Sequence, residues 1–459
     1  MLRDKQYIEI TPHRDSTKNS FSSEVRIEFT IPSNKTYVRP ESFLLLRVNI
    51  AEEVALGAPK SITALSGDDV ETGFIQNPAC AFWDMMQQKI NDVLSERIDE
   101  PTSTLTLLRL TDTDYSRNEK NFDGSPVIPL QGEFTVGDTT SNTFVYRYDG
   151  EEFTNATAGF GSAIQYQMYR ILKTMQNPLA NNDEYNFILY DPFIRSIKEL
   201  DGGTKITMLF QVAPDWATKL LLSGGTAKTI IQNRLAPQAG TVDNRIYFEV
   251  QEIKYYAMMY ERNNPSRSLN PEFIYDSVTP VIAKVTTADG ASTNENIRLE
   301  VPVATNFITM VFKPNGNNVT SQQSYFNVPN VTERLTKLSI LFGGLTYPQV
   351  PFEFGTGIKN GGADSYRAYN DFLVGTNMLE NVGSIMTYRE WLKAPIFVWR
   401  VVRPSGDMST TLTLKLSFGA AAGTETADVM LSCYSTHKLA YDIDDNGLTS
   451  NTRVSTISV

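Results

Sequence analysis

The residue types that most often do chemistry are few and far apart in this 459-residue chain. Its two histidines, His13 and His437, lie near opposite ends. A Ser-His-Asp triad or a histidine-bound metal needs the imidazole beside its partners, which this spacing does not offer. The two cysteines, Cys80 and Cys433, fall in different halves, which excludes a disulfide framework and a cysteine-based zinc site. There is no Gly-x-Ser-x-Gly elbow and no P-loop. Gly355-Thr-Gly-Ile-Lys-Asn-Gly-Gly362 is rich in glycine, but it reads as a surface loop without the strand and helix of a phosphate cradle. The acid pairs Asp183-Glu184 and Asp444-Asp445 read as solvated turns. The two carboxylates of a glycosidase need not be close in sequence, so a glycan-cleaving or glycan-binding β-sandwich stays open as the alternative function. Trp83, Trp216, Trp391 and Trp399 each have apolar neighbours at core spacing, and they read as packing rather than as sugar platforms. The assignment is therefore no catalytic, cofactor-binding or metal-binding residue, no cofactor, and no enzyme.

The elements that would position any site are β-rich. Hydrophobic residues make up 41% and aromatics 11%, enough for sizeable cores, while 28 Gly and 22 Pro are spread throughout. That composition suits many short strands joined by turns. The net charge of -11 disfavours direct nucleic-acid binding, which needs a basic surface. There is no apolar run of about 18 residues and no signal-peptide core at the N-terminus, so a reducing, soluble compartment is expected. The sequons at Asn34, Asn155, Asn318 and Asn330 then read as chance.

The longest strand signal is Arg245–Arg262. Ile246, Phe248 and Val250 alternate with Tyr247, Glu249 and Gln251, and then the phase slips to Ile253, Tyr255, Ala257 and Met259. Such a slip is a bulge or a change of packing partner. Asn263-Asn264-Pro265 follows as a turn signal, so this run should close one β-domain before another begins.

Before it, Val25, Ile27, Phe29 and Ile31 alternate with polar residues as a two-faced strand, and Phe43–Ile50 is apolar enough to be buried on both faces. Phe82–Ile98 has helical spacing, although Asn91-Asp92 equally fits a hairpin. Residues 125–160 read as loop and short strand. Ile164 to Met175 is spaced as a helix, Tyr185–Tyr190 and Lys205–Val212 as strands, and Pro214 to Leu222 as a short helix. The second half repeats the style. Strands are expected near 279–287, 296–303, 306–312, 335–343, 396–402, 412–418 and 429–433. Short helices are expected around Tyr366–Leu373 and, from the capping box Thr387-Tyr-Arg-Glu390, to Lys393. The fold class is all-β: two consecutive eight-stranded jelly-roll sandwiches with short helices in the loops. The boundaries are an N-terminal arm over 1–23, rolls over 24–262 and 263–443, and a C-terminal tail over 444–459.

With these segments in order, the chain resembles the double jelly-roll major capsid proteins of the Polinton, adintovirus and virophage lineage, relatives of adenovirus hexon. Ala81–Ile98 resembles their aromatic pair leading into a strand with a central Asn turn, which favours strand from about Gln87. Tyr185–Phe210 resembles their strand, Pro-Phe, Gly-Gly, strand passage, and Arg245–Pro265 their closing strand and link. Leu335–Pro348, Tyr366–Gly375, Thr387–Pro404 and Asp428–Asp444 resemble later passages in the same order. The chain departs at Ser321–Val331, where the family often has Asn-Pro-Phe.

The resemblance implies a homotrimer whose six upright rolls form a pseudo-hexagonal capsomer tiling an icosahedral shell. It also implies contacts with neighbouring capsomers, penton and cement proteins, no sequence-specific nucleic-acid contact, and residence in the virion after assembly in the host cell. Tyr7 to Ile10 and Val454 to Val459 carry a faint period-two pattern, so both arms are expected to add to a neighbour's sheet edge.

Overall fold

A computed structural model of the chain describes all residues except 1–4, 15–23, 54–71, 75–77, 112–132, 137–143, 149–150, 155–184, 194–196, 215, 217–220, 224–244, 262–271, 315–325, 327, 378–387, 403–408, 444–448 and 458–459. The first half opens with β1 (Lys5–Ile10), β2 (His13–Arg14), β3 (Glu24–Thr30), β4 (Lys35–Glu53), β5 (Thr72–Phe74), β6 (Trp83–Ile90) and β7 (Val93–Asp99). Helix α1 (Pro101–Thr111) follows, then β8 (Glu133–Val136), β9 (Phe144–Tyr148), β10 (Glu151–Thr154) and β11 (Tyr185–Tyr190). β12 (Glu199–Leu200), β13 (Lys205–Val212), β14 (Leu221–Ser223) and β15 (Arg245–Glu261) complete it. One sheet runs β1-β15-β4-β11 with β12 also on β4, and the other runs β2-β3-β13-β6-β7. Two small sheets, β10-β9-β8 and β14-β5, sit in the long connections.

The second half contains β16 (Glu272–Thr286), β17 (Thr293–Glu300), β18 (Thr305–Pro314), the single-turn α2 (Pro329–Thr332), β19 (Leu335–Phe342) and β20 (Leu345–Glu353). Then come α3 (Gly362–Gly375), α4 (Tyr388–Lys393), β21 (Phe397–Arg400), β22 (Thr411–Phe418), β23 (Thr426–Ile443) and β24 (Thr449–Thr456). One sheet runs β16-β23-β18-β21 with β24 also on β23, and the other runs β17-β22-β19-β20. All named strand pairings are antiparallel. Each half is thus a sandwich of two sheets, all-β with short helices in the loops, as expected.

The alternation of apolar and polar residues explains the strands. In β22, Leu412, Leu414, Leu416 and Phe418 are buried while Thr411, Thr413, Lys415 and Ser417 point away from the core. The phase slip in β15 is physical: its register with β4 shifts between Val250 and Glu252, and again between Tyr256 and Met258. The first bulge moves the core side from Val250 to Ile253, Tyr255, Ala257 and Met259, and at the second the extra residues lie on β4.

Several expectations need correction. The helical spacing of Phe82–Ile98 is a hairpin from Trp83 onward, earlier than Gln87, and Asn91 and Asp92 form its two-residue turn with φ of 48° and 66°. Asn and Asp tolerate this left-handed backbone better than most residues. β4 is buried on one face only: Leu44, Leu46 and Val48 are in the core, whereas Phe43, Leu45 and Arg47 are half-buried. At the end of the run read as a helix from Pro214, Leu221–Ser223 is strand β14. The helix read at 164–175, the link 263–268 and the capping residue Thr387 lie outside the described residues.

The terminal segments take sheet edges of their own chain. β1 pairs with β15, β2 with β3, and β24 with β23.

The two cores exchange residues. Tyr275, Val278, Leu439 and Tyr441 from the second half pack in the first core, while Leu107 and Leu110 of α1 pack in the second.

Candidate functional site

The structure keeps the chemistry-bearing residues apart. His13 lies on β2 and His437 on β23, in different sheets. Cys80 and Cys433 are buried in different cores and form no disulfide. Burial pushes the Cys433 thiol up to about 12, so it is held as an unreactive thiol at neutral pH. Among the described residues no group of three His, Cys, Asp or Glu side chains is placed to hold a metal ion. The pairs Asp183-Glu184 and Asp444-Asp445 lie outside those residues. All four tryptophans are buried, which fits the packing role.

Gly355–Gly362 does sit between a strand and a helix, β20 and α3, which the sequence reading did not expect. Gly357, Asn360, Gly361 and Asp364 donate their backbone N–H to Phe354, Gly357, Ile358 and Gly361 carbonyls. A Cβ at Gly357 would lie 1.8 Å from the Glu333 carbonyl oxygen. Gly357 and Gly361 serve close packing, whereas Gly355 and Gly362, at φ of +62° and +52°, serve the turn of the backbone.

Among the described residues, a buried charged cluster lies where β4 meets the end of β11. β4 and β15 part company over residues 39–42, where the register jumps from Tyr256↔Phe43 to Met258↔Val38. Ser42 Oγ fills the gap, donating to the Val38 carbonyl and accepting from the Met258 amide at 2.8 and 2.9 Å. The connection from β11 to β12 closes the other side: Asp191 N–H donates to Ser42 O, and Arg39 N–H to Lys198 O. At the centre the Arg39 and Asp191 side chains, 2% and 0% exposed, form an ion pair at 2.8 Å. Asp191 also accepts from the Tyr37 hydroxyl at 2.7 Å and the Phe193 amide at 3.0 Å. The Tyr37 and Tyr255 hydroxyls are in direct contact. Burial, with Asp191 beside it, raises the Tyr37 pKa well above its ordinary value, and burial chiefly raises that of Tyr255. Both stay neutral and able to donate. The pair ties β4 at Arg39 to the connection that follows β11 at Asp191.

A second buried cation does the same in the other half. The Arg334 guanidinium donates to the carbonyls of Gly419, Gly423, Ala288 and Ala421 and to the Thr287 hydroxyl, over 2.6–3.3 Å. It gathers the β16–β17 and β22–β23 turns at one end of the sandwich.

No protein-family model and no curated protein matches the sequence. Solved structures do match over nearly its whole length. A chain of the Sputnik virophage cryo-EM structure aligns at 12% identity and a TM-score of 0.62, over 99% of this chain and 88% of that one. The mavirus major capsid protein aligns at 10% identity and 0.52, over 98% and 90%. A chain of the PBCV-1 virus capsid aligns at 10% and 0.51, over 99% and 98%. This is the double jelly-roll fold of viral major capsid proteins.

Among the described residues of this double jelly roll, a sheet face and a sheet edge carry exposed apolar side chains. On the outer face of the first sheet, Phe43 contacts Tyr7, Tyr190 and Tyr256 with ring centroids 5.1–5.7 Å apart. The cluster crosses β1, β15, β4 and β11 and is half-exposed, with Tyr7 at 49%. Ion pairs from Lys254 to Glu9 and Glu252, and from Arg47 to Glu252, rim it. β16 is an edge strand carrying exposed Ile274 and Ile282. Pro280 within it has no N–H to offer another strand. None of these features was singled out in the sequence. The cluster draws on four segments, and only the sheet register brings them together.

Proposed function

We propose that the chain is a major capsid protein. Three copies form a trimer whose six rolls make a pseudo-hexagonal capsomer, and capsomers tile an icosahedral shell. Its partners are copies of itself, neighbouring capsomers, and penton and cement proteins. Its work is structural rather than enzymatic. Its place is the virion, after synthesis and assembly in a host cell. The division into an arm over 1–23, rolls over 24–262 and 263–443 and a tail over 444–459 belongs to the same proposal.

The observation that carries this reading is the tandem of two full sandwiches, shared from end to end with solved capsid chains and not confined to one roll. The half-exposed aromatic cluster on the first sheet supports it, because rimmed apolar surface of this kind suits burial between subunits. The acidic balance supports it too, since a shell protein at net charge -11 stays soluble and off the genome.

Negative-stain images of the purified protein test the proposal. Class averages with threefold symmetry and a six-lobed outline are expected. Single two-lobed particles at micromolar concentration, with no larger species, would refute it.

A further inference from the structure

β24 lies where the two rolls meet. On one side it pairs with β23 from His437↔Thr456 to Ile443↔Thr449, with a shift between Ala440 and Asp442. On the other side it meets the first roll at the β6–β7 turn. There the Asn91 side-chain amide donates to Thr452 Oγ1 at 2.7 Å. Asn91 is itself held by the first roll: its Oδ1 accepts from the Lys205 amide at 2.7 Å, and its own N–H donates to the Lys205 carbonyl at 2.8 Å. The turn that fixes Asn91 in the left-handed region therefore also aims it at β24.

Packing follows the same line. Val454, opposite Leu439, is half-buried against the core of the first roll, although β24 pairs within a sheet of the second. The strand is anchored at its far end as well, where the Ile457 amide donates to the Thr436 carbonyl at 2.9 Å. Between these points it buries little else: Arg453 and Ser455 are exposed. Among the described side chains of β24, Thr452 and Val454 are half-buried and the rest are exposed; a strand held so lightly belongs to the low-stability end of a fold, where local opening precedes global unfolding.

We propose that β24 is a strap that closes the seam between the two rolls, and that its release loosens the seam while each sandwich stays folded. The seam lies under β7 and the start of β16, which touch each other through the Tyr275 hydroxyl and Ser95 carbonyl. The strap is a conformational device of the chain itself and does not depend on the capsid reading.

Hydrogen exchange on the full chain and on a chain lacking residues 445–459 tests it. The expected result is exchange about tenfold or more faster at Val93–Asp99 and at 272–279, with 411–418 unchanged. Acceleration confined to 437–443 would make β24 a mere edge trim of the second roll and would overturn the proposal. Should the truncated chain fail to fold, Asn91→Ala and Val454→Ser in the full chain decide the matter. Faster exchange at 93–99 in both variants supports the strap, and rates within about twofold of the parent overturn it.

Discussion

The Tyr275 hydroxyl donates to the Ser95 carbonyl at 2.7 Å, joining β16 of the second half to β7 of the first. Tyr275 is 1% exposed and packs in the first core. Burial, with Glu96 adding to it, pushes the phenol pKa upward, so the group remains a donor at any working pH. Tyr275→Phe removes the bond and leaves a buried carbonyl with one partner fewer. The expected loss is about 1–2 kcal/mol in urea unfolding. Because the cores share residues, a single transition is expected for parent and variant alike, and two resolved transitions would contradict the shared core.

The Arg39–Asp191 pair sets a larger effect. Asp191→Ala strands a buried guanidinium together with the Tyr37 hydroxyl and the Phe193 amide. A loss of about 3–5 kcal/mol is expected, read as a shift in the urea midpoint. A loss below about 1 kcal/mol would mean that the corner between β11 and β12 does not depend on the pair.

The two glycines of the β20–α3 connection should behave differently. Gly357→Ala drives a Cβ into the Glu333 carbonyl, and a loss of at least about 1–3 kcal/mol is expected. Gly355 has φ of +62° with nothing within 4 Å of its would-be Cβ. Asn accepts that backbone, so Gly355→Asn should fall within about 1 kcal/mol of the parent. Thermal melts of the two variants check the contrast.

Much of this fold is legible in the sequence because its strands alternate cleanly. The Val250–Ile253 slip, seen as a change of phase, is a bulge in β15. What is not legible has physical causes. Trp83–Ile90 carries Met85, Met86 and Ile90 at spacings that fit helix and strand alike, and the hairpin turn decides between them. Helix α1, Pro-Thr-Ser-Thr-Leu-Thr-Leu-Leu-Arg-Leu-Thr, shows no amphipathic stripe because it is buried on nearly all sides. Its threonines are poor helix formers, but here they bond to nearby carbonyls: Thr104 to Asp99, Thr106 to Thr102 and Thr111 to Leu107. Arg39 and Asp191 lie far apart in sequence, and no local pattern announces their contact. The aromatic cluster around Phe43 needed the register of four strands.

His437 gives the chain a mild sensitivity to acid. Its ring stacks on Tyr275 at 5.5 Å, and its Nδ1 lies 3.3 Å from Thr456 Oγ1. Burial lowers its pKa below 6.5 although Asp276 on β16 pulls the other way. The unfolded chain therefore binds the proton first as pH falls through 6.5. The stability this group contributes is whole above that pH and drains away down to the folded pKa. The melting temperature should drop less between pH 7.5 and pH 5 in His437→Gln than in the parent. An equal drop in both would remove His437 from the pH response.

The central claim is assembly, and light scattering coupled to size exclusion measures it most directly. At micromolar concentration in mild buffer, the account predicts one species with the mass of three chains and no monomer peak. A monodisperse monomer under those conditions would contradict it.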